Sequence, residues 1–290
     1  MPHSVFAAVG QDGLRTTSED GFKWVAPQIG KEGEVYRAVC FGNGIGVAVG
    51  NYGGGNIYAQ TTDGKTWKTQ FIDAKYVYFL RGLTFGNGKF MALGGDPGSV
   101  GSSRPFIFLS DNGEKWGDKI DISGKNIIRR AIFGNKRFVG VGDRGRRAAS
   151  EDFKTWQDAP EVKAIDTLID VAFGNGVFVG VGLHGLRMSS TDGLTWSNRQ
   201  VGEEGEHLNS IVWAKDRFVT VGPGGTFFSN NGAKWDRQPN ENAPQYFCHG
   251  NGVYVGAAWK GRLLASRDAL KWTETMKCDR HVEAVGWGEI

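Results

Sequence analysis

Apolar residues along this chain come in short runs of about five positions, and nowhere with the spacing of a buried helix face. Residues 168–198 show the pattern best. The runs there are LIDVAF (168–173), FVGVG (178–182), LRMSS (186–190) and LTWSN (194–198). Each has the length of an ordinary strand. Asn-Gly follows the first run, and a type I′ turn, which needs positive φ at two successive residues, makes that pair the strongest short hairpin signal. Asp-Gly before the Trp closes a second hairpin. The pattern predicts four short antiparallel strands joined by tight turns.

The unit recurs. FGNGIGVAVG (41–50), FGNGKFMALG (85–94), FGNKRFVGVG (133–142) and FGNGVFVGVG (173–182) are one phrase with small changes. The Trp that ends each unit stands at positions 24, 67, 116, 156, 196, 235 and 272, in steps of 43, 49, 40, 40, 39 and 37 residues. A period near forty marks a solenoid or a propeller, and four antiparallel strands per period make a propeller blade. The first-type strand is found as YRAVCF, LRGLTF, IRRAIF, LIDVAF, LNSIVW, QYFCH and, at 282–287, VEAVGW. The last copy has no partner after it, while the N-terminus opens on a second-type strand, VFAAVG (5–10), with none before it. The C-terminal strand is therefore expected to complete the first blade, closing an all-β, seven-bladed β-propeller of four-stranded antiparallel blades. Closure removes the edge that would otherwise invite pairing with other chains. One domain over residues 1–290 is expected.

The seven units end in SEDGFKW, TTDGKTW, SDNGEKW, SEDFKTW, STDGLTW, SNNGAKW and SRDALKW. This tail resembles the Asp-box, or bacterial neuraminidase repeat, of sialidases and of photosystem II assembly-factor propellers, and the resemblance covers the whole chain. It implies the propeller fold and a structural role for each box. The pattern has one residue fewer between Ser and Gly than the usual sialidase box, so it identifies a fold better than an activity. Ser and Asp side chains are expected to bond nearby backbone N–H groups in the turn, with the Trp wedged between blades.

Composition narrows the classes. Forty-five Gly in a disordered chain would not come with ten Trp, eighteen Phe and 40% hydrophobic residues. A net charge of +3 gives no strong field toward nucleic acid or a membrane, and neither partner is expected. No apolar run reaches the length of a spanning helix. The start MPHSVFAAVG has no charged n-region or long apolar stretch, so no signal peptide is read; a cytoplasmic protein, or one exported with its signal removed, is expected. Cys40, Cys248 and Cys278 read as free thiols. A monomer is expected.

Strand alternation sorts the connections onto two faces. The FGNG hairpins and the Asp-boxes share a monotonous face. The second-to-third loops and the blade-to-blade connections share a variable one, where function is expected. GNYGGGN (50–56) carries Tyr52, GGDPGSVGSSR (94–104) carries Arg104, and DAKYVYFLR (73–81) carries Tyr76, Tyr78 and Phe79. Such aromatics beside arginine suit sugars, bases or carboxylates. Four residues before the aromatic of each first-type strand stand Arg37, Arg81, Arg129, Ile169, Asn209, Gln245 and Glu283. Three neighbouring blades thus place arginine at the channel mouth, where guanidiniums repel unless an anion joins them. The alternative is structural pairing with Glu34, Asp73, Asp96 or Asp170. Sialidases hold a carboxylate with three arginines, but their opening motif of aromatic, Arg, aliphatic and Pro is absent, VYRAV (35–39) having no Pro. Arg144 lies in a segment, 129–147, with seven basic residues and one acid, split between the two faces and so a poor nucleic-acid stripe. The acidic VGEEGEH (201–207) lies farther round.

Catalytic and phosphate-binding motifs are absent, and no metal spacing is present, so no cofactor or metal is expected. His184, at the tip of GLHG, is the best acid–base candidate. His249 fills an aromatic slot and reads as a packed core residue. The leading expectation is recognition of a glycan, an acidic group or a protein segment by the variable face. The second is a carbohydrate-active enzyme acting on an acidic sugar, a sialidase-like hydrolase or a polysaccharide lyase. The third is an assembly or scaffold factor.

Overall fold

The structure is a computed structural model, and it describes residues 3–73, 79–95, 104–160 and 162–290. They form seven antiparallel sheets, arranged as blades around a channel and numbered here from the N-terminus. The innermost strands are Val282–Glu289 in blade 1, then Val35–Gly42, Phe79–Gly86, Ile128–Gly134, Leu168–Gly174, Ile211–Ala214 and Tyr246–Gly250 in blades 2 to 7, each beside the next around the ring. Blades 2 to 7 have four strands. In blade 1 the outer position is taken by residues 25–28, tied to Arg15–Ser18 by Val25 N–H to Thr17 O at 2.8 Å and a reciprocal Arg15–Gln28 pair at 2.9 and 2.8 Å. Closure is as expected: Ser4–Gly10 pairs with Val282–Glu289 from Ser4↔Glu289 onward.

The repeated phrase does two jobs. Asn43 and Gly44 have φ of 52° and 74°, and Asn175 and Gly176 of 49° and 75°, the double positive φ that the hairpin needs. The Gly before each Asn is a landing for the next blade. A methyl group on Gly42 would lie 2.3 Å from the Phe85 ring, and one on Gly134 would lie 2.3 Å from Phe173. The same close approach joins Gly86 to Phe133, Gly174 to Trp213, Gly250 to Trp287 and Gly288 to Phe41. Blade 6 has Ala214 at this position, and the next ring is the smaller imidazole of His249. His249 packs 4.6 Å from Tyr254, as Phe173 packs 4.7 Å from Phe178, and burial pushes its pKa down. The core therefore lies between blades, in clusters such as Met91, Ile128, Phe138 and Trp156.

The Ser-x-Asp turns are local and repetitive. Ser190 Oγ accepts Gly193 N–H at 2.8 Å, and Asp192 Oδ1 accepts the N–H groups of Leu194 and Thr195 at 2.8 and 2.7 Å. Asn231 does the same work for Ala233 and Lys234 at 2.9 and 3.1 Å. Trp156 and Trp272 are buried, whereas Trp196 is half-buried. Arginines reinforce some blade contacts from the third strand: Arg147 lies over the Trp196 ring at 5.5 Å and Arg187 over Phe227 at 4.5 Å. The three cysteines are free thiols. Among the described residues, no helix is long and apolar enough to cross a membrane.

Candidate binding site at the channel mouth

Five innermost strands carry a β-bulge at the same place. The pairing steps from Tyr36↔Gly50 to Ala38↔Val49, leaving Arg37 as the extra residue. Arg81, Arg129, Ile169 and Glu283 are the extra residues in blades 3, 4, 5 and 1. A bulge breaks alternation and re-aims a side chain. Here it groups Arg37, Arg81, Arg129 and Glu283.

The three arginines are not equivalent. Arg37 Nη1 lies 3.7 Å from Glu283 Oε2. Arg129 grips Asp143 with two nitrogens, one contact being Nη2 to Oδ2 at 3.1 Å. Arg81 lies between them and rests on the Phe79 ring at 5.5 Å. No carboxylate among the described residues pairs with it. Burial first, then the charges of Arg37 and Arg129, push the Arg81 guanidinium below its ordinary pKa, while Asp143 and Glu283 oppose the shift more weakly. A guanidinium does not deprotonate in this setting; the shift records a partly desolvated cation with like-charged neighbours. Structural pairing thus accounts for the flanks and not for the centre.

Two of the alternative partners are engaged elsewhere. Glu34 accepts the Tyr36 hydroxyl at 2.7 Å and lies 3.8 Å from Arg15. Asp170 sits deeper, in the channel wall. Asp96 lies outside the described residues, as do Tyr76 and Tyr78. Tyr52 does not join the arginines in its described contacts: its ring lies 6.4 Å from Phe71 and 5.4 Å from Lys31 Nζ. Arg104 is exposed just before the strand Pro105–Ser110. Arg144 is exposed beside Asp143, held at φ 54° in the turn Asp143–Gly145. His184 occupies the matching turn of blade 5 at φ 53°. Its backbone N–H donates to His207 Nδ1 at 3.2 Å and the rings stand edge to face. No carboxylate among the described residues hydrogen-bonds the His184 ring. Among the same residues no group of three or more His, Cys, Asp or Glu is placed to hold a metal.

Below the mouth is a polar layer that alternation conceals. Arg130, Asp170 and Ser210 line a central cavity of about 330 Å³, with Ala38 and Ala284 on other blades at the same level. Each of the three bonds the backbone of a neighbouring blade. Arg130 Nη1 donates to Arg81 O at 2.9 Å, Asp170 Oδ2 accepts Ile211 N–H at 2.9 Å, and Ser210 Oγ donates to Phe247 O at 3.1 Å. The slot three residues before the aromatic reads Ala38, Gly82, Arg130, Asp170, Ser210, Tyr246 and Ala284. One charge in each of two innermost strands, Arg130 and Asp170, was the signal available.

Solved structures of similar shape include YCF48 bound to a D1 peptide, with 18% identity over 82% of this chain and 81% of that one and a TM-score of 0.59. YCF48 from Cyanidioschyzon merolae gives 14% identity, coverage of 82% and 84%, and a TM-score of 0.58. The computationally designed Ika8 protein gives 12% identity, coverage of 85% and 74%, and a TM-score of 0.53. No protein-family model and no curated protein sequence matches the chain. At these identities the likeness is one of fold: the chain is a seven-bladed β-propeller similar in shape to the YCF48 propellers.

Proposed function

We propose that the protein recognises an acidic segment of another protein at the channel mouth, with Arg81 as the anchor and Arg37 and Arg129 as its flanks. One observation carries the proposal: the central guanidinium of three lacks a carboxylate among the described residues, while both neighbours have one. A carboxylate arriving there relieves the repulsion and finds a cation already partly stripped of water. A charge-assisted hydrogen bond contributes about 1.5–3 kcal/mol. A propeller of similar shape, YCF48, binds a D1 peptide, which supports a protein segment over a glycan. On this reading residues 1–290 act as one domain, and the Asp-box-like turns serve the scaffold.

A random-peptide display library selected on the immobilised protein tests the proposal. Enrichment of Asp- or Glu-bearing peptides, lost when the selection is repeated on Arg81→Ala, is the expected result. Acid-free winners, or acidic winners that persist on Arg81→Ala, would overturn it.

A further inference from the structure

We infer that Trp259 forms a second anchor on the same face, and that the acidic segment it helps to hold carries an aromatic side chain. The inference rests on the Arg81 reading above and gives the ligand a second requirement.

Trp259 opens the second-to-third turn of blade 7, Trp259–Gly261, the counterpart of the turns that hold Asp143 and Leu183 in blades 4 and 5. The residue is 67% exposed. Exposure alone would mean little, but the turn is clamped. Cys278 N–H donates to Gly261 O at 2.8 Å. A methyl group on Gly261 would lie 2.3 Å from Cys278 O and 2.4 Å from Arg280 O, so the backbone is pressed against that segment. The indole is also backed: the His281 ring stacks on it at 5.7 Å with 28° between planes. His281 thus lies against one side of the indole, and the turn that carries it is tied at Gly261. An aromatic ring on a tied turn with a neighbour on one side loses less entropy on binding than a free one, which is the property of an anchor residue.

Contacts run without a break from this platform to the arginines. Gln11 N–H donates to His281 O at 3.0 Å, Gln11 Nε2 donates to Glu283 Oε1 at 3.2 Å, and Glu283 Oε2 faces Arg37 at 3.7 Å. The charges match as well. Lys260, next to Trp259 at φ 62°, is exposed and has no carboxylate partner among the described residues. Glu283, paired with Arg37 at 3.7 Å, lies between the two anchors. A segment that spans them would place its acidic group at Arg81 and its ring on Trp259, and would avoid a further acid over Glu283.

The same display selection, repeated on Trp259→Ala, tests the inference. Wild-type winners are expected to pair an aromatic residue with an acidic one across a neutral or basic spacer. Winners from Trp259→Ala should keep the acid and lose the aromatic preference. For one synthetic winning peptide, Trp259→Ala should weaken binding by about three- to tenfold, the effect of an aromatic pair, and should have no effect on the peptide with its aromatic residue changed to Ala. An unchanged melting temperature would show that the fold is intact. Acid enrichment that depends on Arg81 while the aromatic preference survives Trp259→Ala, or never arises, would overturn this inference and leave the Arg81 reading standing. Loss of the acid requirement itself would overturn both.

Discussion

The Asp170 carboxylate of blade 5 accepts the backbone N–H of Ile211 in blade 6 at 2.9 Å. Its other oxygen accepts Val171 N–H, also at 2.9 Å. An innermost strand has no partner strand on its channel side, so its N–H and C=O groups there must be met in some other way. Arg130, Asp170 and Ser210 meet them at the junctions of blades 3 and 4, 5 and 6, and 6 and 7. Burial pushes the Asp170 carboxyl above its ordinary pKa, opposed by Arg130 and the two N–H donors. Asp170→Ala leaves both donors unpaired and should lower stability by about 1–3 kcal/mol. Chemical denaturation checks this. Undiminished stability would mean that channel water replaces the carboxylate at no cost.

The link between Gly134 and Phe173 yields a sharper test of the packing. Gly134→Ala puts a methyl group into the Phe173 ring, and overpacking of this kind costs about 1–3 kcal/mol. The chain already contains an Ala–His pair at the corresponding place, Ala214 and His249. The double variant Gly134→Ala/Phe173→His should therefore lose less stability than the sum of its single changes, because the smaller ring makes room. Strictly additive losses in a denaturation cycle would refute the landing role of the glycine.

Acid should loosen the Ser/Thr-x-Asp turns. The N–H groups of Thr66 and Lys65 hold the Asp63 carboxyl down, from its ordinary 3.8 to about 2. A carboxyl lowered in the folded state contributes stability that is present above its unfolded pKa and lost as pH falls through the folded value. Asp63 thus stabilises the protein above about pH 4 and ceases to do so near pH 2. Asn231 shows that an amide makes the same bonds without titrating. Asp63→Asn should cost little at neutral pH and should shallow the fall of melting temperature between those limits. An unchanged acid slope would show that Asp63 does not contribute to it.

Blade number, strand order and closure were legible because the FGNG phrase, the box and the Trp period all mark the same unit. The arginine slot was legible because it lies at a fixed distance from a marked aromatic. The bulge was not. It puts Arg129 at the mouth and the next residue, Arg130, on the cavity wall, whereas strict alternation would send them to opposite sides. From sequence, Asp170 reads as a partner for the mouth arginines; the structure gives it a deeper place on the cavity wall. Loop composition does not say which neighbour a ring will find, and the described contacts of Tyr52 are with Phe71 and Lys31. Trp259 went unmarked because it belongs to no box, and its backing by His281 depends on a contact between blades 7 and 1.

Arg81→Ala, measured by both melting and titration with an acidic peptide selected on the wild-type protein, tests the central claim most directly. The account predicts that binding weakens by about ten- to a hundredfold, the loss of one charge-assisted bond, and that the melting temperature holds or rises as repulsion with Arg37 and Arg129 is relieved. A lowered melting temperature with full affinity would contradict it, and would make the arginines of the channel mouth part of the architecture alone.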